Sequence, residues 1–318
     1  MVFQRNALTT RFPWLKEKNL SMVVSADYDG LICAALLHHY LSWKLEGYYD
    51  LKNIWISKKG LAEKKKLIWV DLNILPRQGR AIGGHIISLS DDIPDGFQSS
   101  CNPNILAGIT AAQFKRKFPF STLIYLLWLH NVEIKHDLLA QLLVLHSDAT
   151  WLKYQHYPKN CNKWQKTMDG YNWKWLFQKV NTKTYEKRVD GELYPLLQNI
   201  QAISGKSKLK SQHLHIQSRQ YQFNPDWDED VVLKLLKLFG KTLGWTPPET
   251  PEIVKSIEGI RQKVPLAFIK DKGLGNFLHE KRVFSYAIPS PRIFNFTSFG
   301  WINKSPLENK HDYATSSN

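Results

Sequence analysis

Residues 21–37, Ser-Met-Val-Val-Ser-Ala-Asp-Tyr-Asp-Gly-Leu-Ile-Cys-Ala-Ala-Leu-Leu, constrain the fold more than any other stretch of the chain. The unbroken apolar run from Met22 suits a central strand of a parallel sheet, buried on both faces. It ends on Asp27 and Asp29, and Gly30 opens an apolar helix. Ligands of such sheets bind just beyond the carboxyl ends of the strands. One aspartate there is explained by a helix N-cap. Two acids side by side need a cation or backbone donors to offset their repulsion, and a divalent metal is the natural candidate.

The pattern then repeats. After a helix read over 31–46, closed by Gly47, strands are predicted at 51–57 and 67–73, the latter carrying Asp71. A further strand is predicted at 85–89, with Asp91 where it ends, followed by the Asn102-Pro103-Asn104 turn. Helical patterns cover 105–118, 121–130 and 135–145, and Asp148 closes the last. Alternating strands and helices predict an α/β fold, a doubly wound and mostly parallel sheet over residues 1–150. Residues 151–318 read as a second, basic and aromatic-rich α+β domain. It has helices at 228–240 and 253–261, an edge strand or lid over 283–299, and a disordered tail at 305–318.

Composition narrows the partner. The formal net charge is +15, and 12 Trp, 13 Tyr and 15 Phe accompany it, so positive potential and stacking surfaces occur together. That favours single-stranded nucleic acid. Trp173 and Trp175 flank Lys174, and Lys206, Lys208 and Lys210 stand in an acid-free loop. These are the candidate substrate-binding residues; the plainer alternative is that the tryptophans are core and the lysines a solvated loop. Three scattered cysteines without a CxxC pair predict a reducing, cytoplasmic setting. The longest apolar runs reach about half a membrane span, so no membrane partner is expected.

The order and spacing of these acids resemble the DHH phosphoesterase superfamily, closest to its RecJ-type single-strand exonucleases. Asp27-Tyr28-Asp29-Gly30 is similar to the first motif, Val70-Asp71 to the second, and Asp148 after an apolar helix to the fourth. The turn around Asn102 and Asn104, with Ala107-Gly108 and Phe114-Lys115, resembles the segment between the third and fourth motifs. The third motif, Asp-His-His, is absent. Aligned by strand position Asp91 takes its place; aligned by histidine, Gly83-Gly84-His85 does, and the strand alignment is preferred. Upstream of the first motif, where members often carry another His or Asp, stand Val23 and Ser25.

The resemblance implies one or two Mn²⁺ or Mg²⁺ ions on Asp27, Asp29, Asp71, Asp91 and Asp148. Asp71 would bridge, Asn102 and Asn104 would orient phosphate, and the chemistry would be phosphoester hydrolysis of single-stranded nucleic acid or oligonucleotides. Two other readings stand beside it: a catalytically degenerate module that binds nucleic acid or a protein partner, and a phosphodiesterase for small cyclic or linear oligonucleotides.

Overall fold

The computed structural model describes residues 2–72, 74–75, 80–90, 93, 97–202 and 222–299, with the backbone of two short strands at 209–210 and 217–218. In chain order the strands are β1 (Ser21–Ser25), β2 (Lys44–Tyr49), β3 (Asn53–Ser57), β4 (Ile68–Val70), β5 (Arg80–Ile82) and β6 (Ser100–Cys101). They continue with β7 (Leu209–Lys210), β8 (Gln217–Ser218), β9 (Ile253–Glu258), β10 (Ile260–Pro265), β11 (Val283–Ser290) and β12 (Ile293–Ser298). Seven form one sheet in the order β6-β5-β4-β1-β2-β3-β9, and β10-β12-β11 form a separate antiparallel sheet. Pairing from β6 through to β2 is parallel; β3 is antiparallel to both its neighbours.

β1 is central because its side chains are apolar on both sides. Met22 and Val24 enter the larger core and Val23 the smaller one on the opposite face. The larger core is built by α1 (Arg5–Arg11), α2 (Tyr28–Leu41), α5 (Thr122–Leu129) and α6 (Leu138–His146); α3 (Lys58–Ala62) and α4 (Pro103–Leu106) are short. The smaller core is closed by Phe284 and Phe299 from the second sheet, with Leu61 of α3 beside it. The sheet is therefore an α/β sheet covered by helices on one face and largely by other β structure on the second, where helices on both were expected.

The chain leaves β1 for β2 on one side and returns to β4 on the other. Connections that depart in opposite directions leave a crevice at the carboxyl ends of β1 and β4, the topological switch point where open α/β sheets take their ligands.

Several expectations are corrected. The helix read to residue 46 ends at Leu41, Ser42 has φ 56°, and the chain turns straight into β2. Gly47 lies inside that strand, where a Cβ would stand 2.3 Å from the Trp55 carbonyl of β3. The strand expected at 85–89 is replaced by β5, which pairs Ile68, Trp69 and Val70 with Arg80, Ala81 and Ile82. The helix expected at 253–261 is two strands, its β-branched residues pairing with β3 and β12.

Among the described residues the core continues past residue 150. α7 (Thr150–His156) and α8 (Pro158–Thr167) bury Trp151, Leu152, Cys161 and Trp164 in the same core as β1, and β9 completes the main sheet. The tail at 305–318 lies outside the described residues. Among the described residues no helix is long and apolar enough to cross a membrane.

Candidate metal centre

The first motif forms where β1 turns into α2. Asp27 is the N-cap, extended at φ −151°, and its Oδ1 accepts the Gly30 amide at 3.0 Å. Gly30 is required there because a Cβ would lie 2.1 Å from the Ser25 carbonyl oxygen. Asp29, in the first turn of α2, is buried, and a carboxylate so placed needs donors. It receives the amides of Thr122 at 2.9 Å and Leu123 at 3.2 Å, together with the Ser147 hydroxyl. The N-terminus of α5 thus points at the Asp29 carboxylate, an arrangement favoured by the helix dipole.

Asp71 follows β4 with φ 62°, a conformation that non-glycine residues rarely hold. Its Oδ1 accepts the Thr122 hydroxyl at 2.6 Å and lies 3.0 Å from His85 Nε2. Its Oδ2 lies 2.7 Å from the Ser25 hydroxyl, which is also 2.7 Å from Asp27 Oδ1. Asp148 closes the group from the end of α6, again with positive φ, 47°, and forms an ion pair with Lys153 of α7. The centre is open on one side: the His85 side chain is 41% exposed and Asp71 only 3%.

Proton affinities record the crowding. Burial, then the charges of Asp71 and Asp148, push the Asp29 carboxyl well above the usual range. Burial and the charge of Asp71 raise Asp27 to about 7. Burial also works against the Asp71 carboxylate, but the His85 charge and the bonds from His85, Thr122 and Ser25 hold it below the usual range. His85 responds in kind: burial opposes its charge, yet Asp71 raises it to about 9.

Asp29, Asp71 and His85 each present a ligand atom within 4.8 Å of the others, close enough to share one ion. The donor set suits it. Carboxylate oxygens are the usual ligands of Mg²⁺ and Mn²⁺, and an imidazole is a metal ligand when neutral. Buried acids that hold protons because they are desolvated and crowded by negative neighbours are groups a divalent charge would relieve.

His85 enters this group because β5 ends at Ile82, three residues before it, so Gly83-Gly84-His85 stands where the third motif was sought. Asp91, the preferred candidate, lies outside the described residues, as do Lys206, Lys208 and the side chain of Lys210. Gly84 leaves no room for a side chain: a Cβ there would sit 2.4 Å from the Phe118 ring.

Asn102 and Asn104 are fully buried and cannot meet a substrate. Instead the Asn104 amide donates to the carbonyls of Gly84 at 2.7 Å and Ile86 at 3.1 Å, while its oxygen accepts the Phe118 amide at 2.6 Å. Asn102 donates to Ile86 as well, so the two side chains pin the loop that carries His85. Trp173 is core, stacked near Phe120 and bonded to the Met168 carbonyl, which removes it as a base-stacking surface. Trp175 is partly buried and stacks on His136, lining a cleft of about 250 Å³ formed by α6 and the segment 175–188. It is not brought together with the acidic centre.

Thr122, Ser147 and Lys153 were not singled out from the sequence, and Ser25 was noted only as standing where a further ligand was sought. Ser121-Thr122 before an apolar run is a legible helix cap, but nothing local reveals that Thr122 also serves Asp29 and Asp71. No family model matches this chain, and no curated protein or solved structure matches it.

Proposed function

We propose that the chain is a metal-dependent phosphodiesterase of DHH type, acting on single-stranded nucleic acid or oligonucleotides. The observation that carries the reading is the convergence of Asp27, Asp29, Asp71, Asp148 and His85 at the switch point between β1 and β4. Asp29, Asp71 and His85 would hold the ion, with Asp27 and Asp148 at its margin. When bound, a divalent ion would supply positive charge to phosphoryl oxygens and lower the pKa of a water. The protein's own part is to hold Asp29 and Asp71 rigidly by backbone and hydroxyl donors, so that little reorganisation is needed when substrate arrives. His85 is poised between metal ligand and proton carrier, its charge set by Asp71.

Support for a polymeric anion comes from the surroundings. The backbone at Arg116 and Lys117 is fastened to α8 by Trp164 and Asn160. With a net charge of +15 on the whole chain, Lys117 brings positive charge to the edge of the centre.

A second reading rests on Gly83 and Gly84. The signature's aspartate and first histidine are replaced by residues without ligand atoms, and the Phe118 ring fills the space a side chain would take. That favours a module that binds nucleic acid, or a protein partner, without cutting. The test is incubation with labelled single-stranded DNA, RNA and cyclic dinucleotides in Mn²⁺ or Mg²⁺, with Asp71→Ala as control. Metal-dependent products lost in Asp71→Ala are expected. Binding without any product from any substrate would select the second reading.

A further inference from the structure

Lys117 stands at the edge of the acidic centre, within electrostatic reach of Asp148. Its ammonium lies 4.6 Å from the centre of the Phe114 ring, and among the described residues it makes no ion pair. The side chain is partly buried, and burial, with the charge of Lys153, lowers its pKa. It lies within electrostatic reach of both Lys153 and Asp148, the ion pair that closes the centre. The next residue, Phe118, holds its amide on Asn104 and its ring against Gly84, so Lys117 is tied to the same framework as His85. Its own carbonyl is fixed by Asn160.

A half-desolvated ammonium is unfavourable unless an anion completes it. Among the described residues the carboxylates nearby are already engaged: Asp148 by Lys153, Asp71 by His85, Ser25 and Thr122. We propose that Lys117 and Lys153 form the phosphoryl-binding pair of this site, receiving non-bridging oxygens of the phosphodiester. The proposal deepens the phosphodiesterase reading and rests on it for the substrate, while the anion site is testable by itself. A lysine ammonium donates charge-assisted hydrogen bonds to phosphate oxygens, and such bonds are about twice as strong as neutral ones. The aliphatic stem and Phe114 allow Met to replace Lys117 with little loss of packing.

The experiment is calorimetric titration of the full chain with inorganic phosphate, once with Mn²⁺ and once with EDTA, for wild type, Lys117→Met, Lys117→Arg and Lys163→Met. Mn²⁺ affinity and melting temperature are measured for each protein. Lys117→Met is expected to weaken phosphate binding by about tenfold while Mn²⁺ affinity and melting temperature hold, with Lys117→Arg close to wild type and Lys163→Met unchanged. Equal loss in Lys163→Met would mean diffuse charge and overturn the proposal. So would full phosphate affinity in Lys117→Met, or no phosphate binding by wild type in either condition. If wild type takes up no Mn²⁺ but still binds phosphate through Lys117, the metal reading falls and the anion site stands.

Discussion

Ser25 has one hydroxyl proton and touches two carboxylate oxygens, one on Asp27 and one on Asp71. Without a cation a second proton must therefore sit on this chain of three residues, and the raised Asp27 is where it resides. The consequence for stability has a definite sign. An aspartate whose pKa rises from about 3.9 when unfolded to about 7 when folded adds stability that is complete at low pH and lost as pH climbs through 7. His85, raised to about 9, adds a further loss above 6.5. Asp71, held low, acts oppositely, its contribution vanishing in acid. The metal-free protein is expected to melt highest near pH 5 to 6 and progressively lower to pH 9. Asp27→Asn should flatten the slope around neutrality, and Mn²⁺ should lift the alkaline end. Scanning calorimetry across that range checks it; a flat wild-type curve in EDTA would refute the assignment. At Gly84 the expectation is steric. Gly84→Ala forces a Cβ against Phe118 and should cost about 1–3 kcal/mol in urea denaturation, and a larger side chain there is expected to destabilise the fold further.

At the scale of elements, the loop between β5 and α4 depends on two buried amides. Asn104→Ala leaves the Phe118 amide and the Gly84 carbonyl unpaired, while Ile86 keeps Asn102. The cost should be about 2–4 kcal/mol at about 1–3 per buried group. His85 should at the same time lose its fixed approach to Asp71, so its titration, followed by NMR, is expected to fall from about 9 toward the ordinary value. Several elements were legible because each has one dominant pattern. β1 and β4 are short apolar runs ending on acids, and α5 and α6 are long apolar helices with Ser121 and Asp137 as caps. Others were hidden. Lys44–Tyr49 continues an apolar helix without a proline and discloses itself as β2 only through β1 and β3. Arg80–Ile82 is too short to carry a period, so the strand before His85 was not legible. The acids of the centre could be read because each follows its own buried element. The hydroxyls of Ser25, Thr122 and Ser147 could not, since the acids Asp71 and Asp29 that they reach across to come from distant parts of the chain.

The whole molecule is joined more closely than its change in composition suggests. Residues 151–199 share the core of β1, and β9 supplies the last strand of the main sheet. A fragment ending at residue 150 is therefore expected to lack native tertiary structure, with no near-ultraviolet circular dichroism, while the full chain unfolds in one transition. The net charge of +15 belongs to this scale too, and under the proposed function any single-stranded nucleic acid affinity is expected to fall steeply with salt. One further feature is mechanical. β9 and β10 are separated only by Gly259, which is buried, with a Cβ position 2.8 Å from the Lys52 carbonyl and 2.9 Å from both Phe299 and Thr297. The two sheets are thus spliced by one strand, with no slack between them. A load on the second sheet passes directly into the β3–β9 ladder, and a protease finds no loose tether to cut at this junction.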